Sequence, residues 1–336
     1  MHRFSGALIV VAAAVVGLSV RATLTAQGTE LAAARVTHVG VVVPDMDAAL
    51  REYVRVMGFR VPTINTYPIP MPDGRKAEFK LATLRMPNFF IEVIQPVNTV
   101  GPYYDHLQAH GMSIQHMGVA VSDAGSIDDL RSALEQKGGR WTLGTKGTTY
   151  AYVSFEPTLG TTVEVVKGAG GAGEPAPALP AGDALPPLAA LPVTHVGFAA
   201  IDTAAVVNGF AKIFGIAPPK VMDYKDAQYP PAAKWNRDAY LRLAFWNQGG
   251  MGVEVIESVG RPTPWSEYVQ RQKGTAAQHL AINVGNRMDE TIRDLTAKGG
   301  AWTNGKPGGN YAYLDFMDTL GIIFELNGTS KSAAAK

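Results

Sequence analysis

Four histidines and four glutamates recur in this sequence in one pattern. His38, His116, His195 and His279 each stand near the start of an apolar, largely β-branched stretch. Glu92, Glu164, Glu254 and Glu325 each interrupt another: Phe90-Ile91-Glu92-Val93-Ile94, Thr162-Val163-Glu164-Val165-Val166, Gly252-Val253-Glu254-Val255-Ile256 and Ile323-Phe324-Glu325-Leu326. A carboxylate carried into a sheet among such neighbours costs on the order of several kcal/mol unless it is paired or set against a cation. A lone strand histidine is usually a packed core residue, and a lone strand glutamate usually lies on an edge. Four matched pairs ask for one shared cause. Two imidazoles and two carboxylates per half of the chain suit a divalent ion such as Zn, Ni, Co, Mn or Fe, with positions left for water or a bidentate substrate.

The spacing supports one site in each half. Matched residues lie 157, 162, 163 and 161 positions apart, nearly constant after a five-residue insertion ahead of Glu254. The surrounding sequence repeats with them. VTHVGVVVPDMDAAL from Val36 answers VTHVGFAAIDTAAVV from Val193, and KGGRWTLGTKGTTYAYVSFEPTLG from Lys137 answers KGGAWTNGKPGGNYAYLDFMDTLG from Lys298 without a gap. Two homologous domains follow, over residues 35–167 and 192–328. Between them, residues 168–191 are dominated by Gly, Ala and Pro and read as a linker, semi-rigid where proline is dense. Residues 329–336 read as a disordered tail.

Each domain contains the same local unit twice. The first opens with a strand over Val36–Val43 and continues past a capping Asp45 into a helix, whose stripe Leu50, Tyr53, Val54 and Met57 falls at i, i+3, i+4, i+7 before Gly58 stops it. Ile127, Leu130 and Leu134 repeat the stripe before Gly138, as do Val206, Phe210 and Ile213 before Gly215, and Met288, Ile292 and Leu295 before Gly299. Short runs such as Phe79–Arg85 and Phe89–Ile94 then read as antiparallel strands. The unit is strand, helix and about three strands, four times over, an α+β chain. Whether units pair within a domain or across domains is left open.

Composition narrows the function classes. The 336 residues carry a formal net charge of +1, so no excess of Lys and Arg exists to neutralise phosphates, and nucleic acid is excluded as a partner. Without cysteine there are no disulfides, thiolate metal sites or cysteine nucleophiles. Residues 1–26 begin Met1-His2-Arg3, continue through an apolar run from Gly6 to Val20 and end among small residues near Ala22 and Ala26. That run is shorter than a membrane span and reads as a cleaved signal peptide. A periplasmic or secreted location is expected, with no membrane attachment after cleavage. Coenzyme A thioesters are then poor substrate candidates.

The strand-helix-strands units with His in the opening strand and Glu in the closing one resemble the vicinal oxygen chelate superfamily, which includes glyoxalase I, methylmalonyl-CoA epimerase and the extradiol dioxygenases. The stretches HVGVVVPDMDAALREYVRVMGF, IEVIQPV and GPYYDHLQAHGMSIQHMGVAV look most like the epimerase and glyoxalase arrangement. The resemblance implies tandem domains, each of two βαβββ units forming a curved mixed sheet around a cleft. It implies one metal set of His38, Glu92, His116 and Glu164 and a second of His195, Glu254, His279 and Glu325.

The chemistry implied is proton abstraction next to a metal-chelated carbonyl, as in a lyase or isomerase, with Glu164 and Glu325 as bases and Glu92 and Glu254 facing them. The substrate expected is a small hydroxy-carbonyl, keto acid or aromatic compound, and the chain is free to form a homodimer. A non-haem iron dioxygenase needs only two histidines and one carboxylate, so the fourth ligand weighs against it. A non-catalytic resistance-type binding protein would commonly lack the full set. Asp73 falls near where epimerases place another acid, although Pro72-Asp73-Gly74 is also plain turn chemistry. Tyr150 and Tyr152, matched by Tyr311 and Tyr313, line a strand beside the cleft or simply pack it. His106 and His110 share a helix face, and with no counterpart in the second half they are expected to face solvent. No glycine pattern has the form of a phosphate loop.

Overall fold

The computed structural model describes residues 30–122, 125–168, 173–225, 229–230, 235, 240–260 and 262–329. Residues 1–26, expected from their composition to be a signal peptide, and residues 330–336 of the expected tail lie outside the described residues.

The first unit begins with β1 (Arg35–Val42), whose residues after Arg35 are all buried, and passes into α1 (Met46–Met57). The Asp45 side chain accepts the Ala48 N–H at 3.0 Å and fixes the helix start, and Gly58 in the left-handed region (φ 79°) ends it. The chain then lays down β2 (Asn65–Pro70), β3 (Lys76–Arg85) and β4 (Phe90–Pro96). A connector helix, α2 (Pro102–His110), leads to the second unit: β5 (Ser113–Val121), α3 (Ile127–Gln136), β6 (Arg140–Leu143), β7 (Tyr150–Ser154), the short α4 (Glu156–Leu159) and β8 (Thr162–Lys167).

These strands form one eight-stranded sheet in the order β2-β3-β4-β1-β5-β8-β7-β6. The pairs β1–β4 and β5–β8 are parallel, and β1 and β5 join the two units as antiparallel partners. Units therefore pair within a domain, settling the question the sequence left open.

The second domain repeats the plan. It runs β9 (Val193–Ala200), α5 (Thr203–Phe214), β10 (Val221–Tyr224), β11 (Tyr240–Gln248), β12 (Met251–Val259), α6 (Pro264–Gln272), β13 (Ala276–Gly285), α7 (Met288–Ala297), β14 (Ala301–Gly305), β15 (Tyr311–Asp315), α8 (Met317–Leu320) and β16 (Ile323–Gly328). Its sheet order, β10-β11-β12-β9-β13-β16-β15-β14, reproduces the first. The fold is α+β, with two curled mixed sheets in tandem, each of two βαβββ units as the resemblance implied.

One apolar core runs through both domains, taking Val39, Tyr53, Met117 and Val163 from the first and Val196, Phe210, Leu280 and Phe324 from the second. Polar contacts pin the junction: Tyr53 Oη donates to the Leu320 carbonyl at 2.8 Å, and the Asn88 side chain bonds both the N–H and the carbonyl of Val193 at 3.0 and 2.8 Å. The end of the linker joins the core as well. Leu188–Ala190 form a turn of 3-10 helix that is fully buried, because Leu188 and the alanines beside it are apolar enough to fill the space next to α1.

His106 and His110 do not face solvent as expected, because the second domain packs against α2. His106 is 8 % exposed and its Nε2 lies 2.9 Å from Ser113 Oγ, which donates to Gln272 Oε1 across the junction; His110 Nδ1 meets the Gln272 carbonyl at 3.0 Å. Burial, then the neighbouring His110 and His116, lowers the His106 pKa from 6.5 to about 3. Below about pH 6.5 the unfolded chain binds a proton that folded His106 refuses, so stability falls as pH drops from 6.5 towards 3. At about 1.4 kcal/mol per unit, the loss reaches on the order of 5 kcal/mol. Urea melts between pH 7 and pH 4 are expected to show this acid limb, and His106→Gln, neutral throughout, should flatten it.

Candidate metal centres

The central strands bring the histidines together by a backbone device. The β1–β5 register sets Gly40 opposite His116 and Gly118 opposite His38. A Cβ at Gly40 would stand 1.9 Å from Cε1 of His116, and one at Gly118 would stand 1.8 Å from Cε1 of His38. Each ring thus lies where a Cβ on the facing residue would have to displace it. On their other sides the same glycines pair with Glu92 and Glu164, which carries both carboxylates to the same face. In the second domain Gly197 serves His279 with the same 1.8 Å clearance, and pairs with Glu254. At the fourth place Ala281 stands opposite His195.

The eight predicted ligands fall into two groups, His38 with Glu92, His116 and Glu164, and His195 with Glu254, His279 and Glu325. Within each group one ligand atom per residue lies within 4.8 Å of the others. Ligand atoms about 2.0–2.2 Å from one ion are separated by roughly 3 to 4.4 Å, so these groups need little adjustment to hold one. The two imidazoles of each domain meet edge to face, with centroids 5.5 Å apart at 82° in both. His38 Nε2 lies 2.6 Å from Glu164 Oε2, and His195 Nε2 lies 2.9 Å from Glu325 Oε2. His116 Nε2 stands 3.5 Å from both Glu92 and Glu164, and His279 Nε2 stands 3.3 Å from both Glu254 and Glu325.

Two details test whether a cation fits. The buried side-chain atoms without a hydrogen-bond partner among the described residues include Nε2 of His116, Nε2 of His279 and Oε2 of Glu254, at the centre of these groups. Such atoms are costly unless something else satisfies them. The electrostatics are equally pointed. Burial alone would lower His195, yet the charge and hydrogen bond of Glu325, with Glu254 beside it at 3.4 Å, outweigh burial and raise its pKa to about 10. His38 and His279 are raised in the same way against burial, by Glu164 and by the Glu254–Glu325 pair respectively. Burial would raise Glu164, Glu254 and Glu325, but the adjacent imidazoles hold all three below the ordinary carboxylate range. The carboxylates are held ionised, and positive charge is drawn to the space between them.

The tyrosine pairs belong to the sites. Tyr313 Oη donates to Glu325 Oε2 at 2.7 Å, and Tyr152 occupies the matching position beside Glu164. Burial, then the charge of the neighbouring glutamate, pushes both phenols well above their usual pKa, so both remain donors. The sequence reading missed one aromatic in each connector helix. Tyr103 of α2 packs edge to face on Tyr152 at 6.2 Å, and Trp265 of α6 packs on Tyr313 at 5.3 Å. The shared Pro-aromatic start of the two helices, Pro102-Tyr103 and Pro264-Trp265, was the available signal.

The two cups are filled differently. In the second domain a cavity of about 190 Å³ touches both Glu254 and Glu325. In the first, a cavity of about 370 Å³ reaches Glu92 alone of the four ligands, and linker residues Gly173 and Glu174 form part of its wall. Asp73 lies apart from both groups, in the β2–β3 turn, with its carboxylate on the Arg75 guanidinium at 2.7 Å. Hydrogen bonds from Arg75 hold its pKa below the ordinary value.

The family model of the Glyoxalase/Bleomycin resistance protein/Dioxygenase superfamily matches the chain twice, over residues 37–152 and 194–313. Among solved structures, a mutant 4-hydroxymandelate synthase from Streptomyces coelicolor is 16% identical and covers 88% of this chain and 92% of its own, with a TM-score of 0.59. A halotolerant catechol dioxygenase, BphC, is 10% identical over 88% of this chain and 86% of its own, with a TM-score of 0.45. Methylmalonyl-CoA epimerase from Mycobacterium tuberculosis is 22% identical over 43% of this chain and 89% of its own, with a TM-score of 0.29. No curated protein matches the sequence significantly. At such identities the first of these likenesses speaks for the fold.

Proposed function

The chain belongs to the glyoxalase/bleomycin resistance protein/dioxygenase superfamily, and from that premise we propose that it is a metal-dependent lyase or isomerase that moves a proton next to a carbonyl of a small hydroxy-carbonyl or keto-acid-like substrate. The supporting observation is the pair of buried two-histidine, two-glutamate groups, each with a histidine Nε2 that has carboxylates at 3.3–3.5 Å and no hydrogen bond. A divalent ion held there supplies a Lewis acid for negative charge developing on the substrate oxygen.

In this reading Glu164 and Glu325 take the proton from carbon and return it, while Glu92 and Glu254 hold the opposite side of each group. Tyr152 and Tyr313 stay protonated beside the bases and fix their orientation. The aromatic residues of α2 and α6 keep water from the inner face. A fourth ligand-distance carboxylate in each group weighs against an oxygen-activating iron site, which needs open positions. Asp73, held on Arg75 in the β2–β3 turn apart from both groups, takes no part in this proton transfer. Export is proposed with the same function, on the composition of residues 1–26, and the N-terminus of the mature protein measured by mass spectrometry tests it.

Elemental analysis tests the metal reading. Protein purified without added metal is expected to hold two divalent ions per chain, with His116→Ala losing one and His279→Ala the other. Metal-free protein that gains no ion on dialysis against zinc, manganese or cobalt would sink it.

A further inference from the structure

Asn304 breaks the repeat at an informative place. It stands where the first domain has Leu143, in the matched runs Trp141-Thr142-Leu143-Gly144 and Trp302-Thr303-Asn304-Gly305. Leu143 is fully buried in an apolar cluster with Tyr103, Tyr152 and Phe79. Asn304 is just as deep, 1 % exposed, yet both its Oδ1 and its Nδ2 lack a hydrogen-bond partner. A third orphan accompanies them, the indole Nε1 of Trp265, 2 % exposed. Asn304 and Trp265 line the same 190 Å³ cavity that touches Glu254 and Glu325. A carboxamide and an indole left unsatisfied are a standing cost to the fold, and a leucine there would remove most of it.

The register fixes their distance from the metal group. Asn304 pairs with Tyr313, and Tyr313 pairs with Glu325. Two strand spacings separate Asn304 from the base, about 10 Å between backbones. The orphans also define what they bind. Trp265 Nε1 can only donate, whereas Asn304 offers both a donor and an acceptor. A hydroxyl satisfies such a set, because it accepts from one N–H and donates to Oδ1. A carboxylate or phosphate could only accept, leaving Oδ1 unpaired beside negative charge. Tyr311, Tyr313 and Trp265 supply the aromatic wall between the two ends.

We propose that Asn304 and Trp265 form a specificity subsite in the second domain for a neutral hydroxyl carried on the ring of the substrate, far from the oxygens that meet the carboxylates. This deepens the proposed function and rests on it for the placement of the near end. The first domain, with Leu143 in this position, has no such subsite.

Calorimetric titration of the metal-loaded full chain with 2-hydroxyacetophenone and with 2,4′-dihydroxyacetophenone reads the preference directly. The hydroxylated probe is expected to bind the wild type at least tenfold tighter. Asn304→Leu and the milder Asn304→Ala should bind both probes equally, with unchanged metal content. Asn304→Leu should also raise the melting temperature. Leu143→Asn, in the other cup, should leave the preference intact. A wild type that binds both probes alike, or an Asn304→Leu protein that keeps the tenfold preference, overturns the subsite. Metal content is measured on the same samples. A preference shown by protein that takes up no ion supports the subsite while the metal-enzyme reading fails, so the two failures are separable.

Discussion

In a Glu164→Gln background, Glu325→Gln is expected to slow proton exchange at the carbon next to the carbonyl of hydroxyacetone by about a thousandfold or more, read by NMR in deuterium oxide. A positioned base contributes about a hundredfold to ten-thousandfold, and this residue is also one of the four side chains gathered in its group. Glutamine keeps the shape and can still meet Tyr313, but it neither accepts the proton nor stays charged beside His195. The effect should be unequal between domains. The second cup has a cavity touching both of its carboxylates, whereas the cavity of the first reaches only Glu92. Glu164→Gln is therefore expected to cost less than Glu325→Gln, and the double variant to show no exchange above background. Asp73→Asn, exposed and held by Arg75, should stay within about threefold of the wild type. Exchange by the double variant within tenfold of Glu164→Gln alone would remove Glu325 from the proton-transfer role.

Gly118→Ala should cost the first domain's metal affinity about a hundredfold or more, by competition against a coloured chelator, without touching the second site. The reason is steric. The new methyl would fall 1.8 Å from Cε1 of His38, far inside contact distance, and the ring is backed by Phe90 stacked at 4.3 Å. His38 must leave its position over the sheet, and displaced ligands typically cost tenfold to a hundredfold in affinity even when the ligand itself survives. Overpacking also destabilises the fold by roughly 1–3 kcal/mol, visible in the same sample as a lower melting temperature. The second domain provides an internal comparison. Ala281 already carries that methyl opposite His195, and His195 is the most exposed of the four histidines, 5 % against 0–1 % for the others. Gly118→Ala protein that binds metal like the wild type would show that the ring position does not depend on the bare backbone beneath it.

Much of this architecture was legible because the sequence states it twice. Duplicated stretches, helix caps such as Asp45 and Gly58, and charged residues misplaced among apolar ones gave the units, their order and the eight clustered side chains. The glycines beneath the rings were equally readable, since His38, His116 and His195 are each followed two residues later by Gly40, Gly118 and Gly197, while His279 is followed by Ala281. The missed features depend on what lies across the cup. Nothing local distinguishes Asn304 from an ordinary turn-flanking asparagine, because its meaning comes from a cavity closed by α6. His106 and His110 were misjudged for a related reason. Their helix face looks half polar in isolation, and only the docking of the second domain supplies Gln272 and removes the water. The end of the linker was likewise misjudged by composition, which averages Leu188 with the prolines before it.

Consecutive units close each cup on its own, while a common interior fastens the two bodies together. Residues lining one bowl can therefore change their chemistry without disturbing the distances in the other, yet neither bowl can drift away. A chain built this way is suited to division of labour inside a single particle: one vessel keeps open space against its paired acids and becomes selective, while its twin is free to serve as a brace.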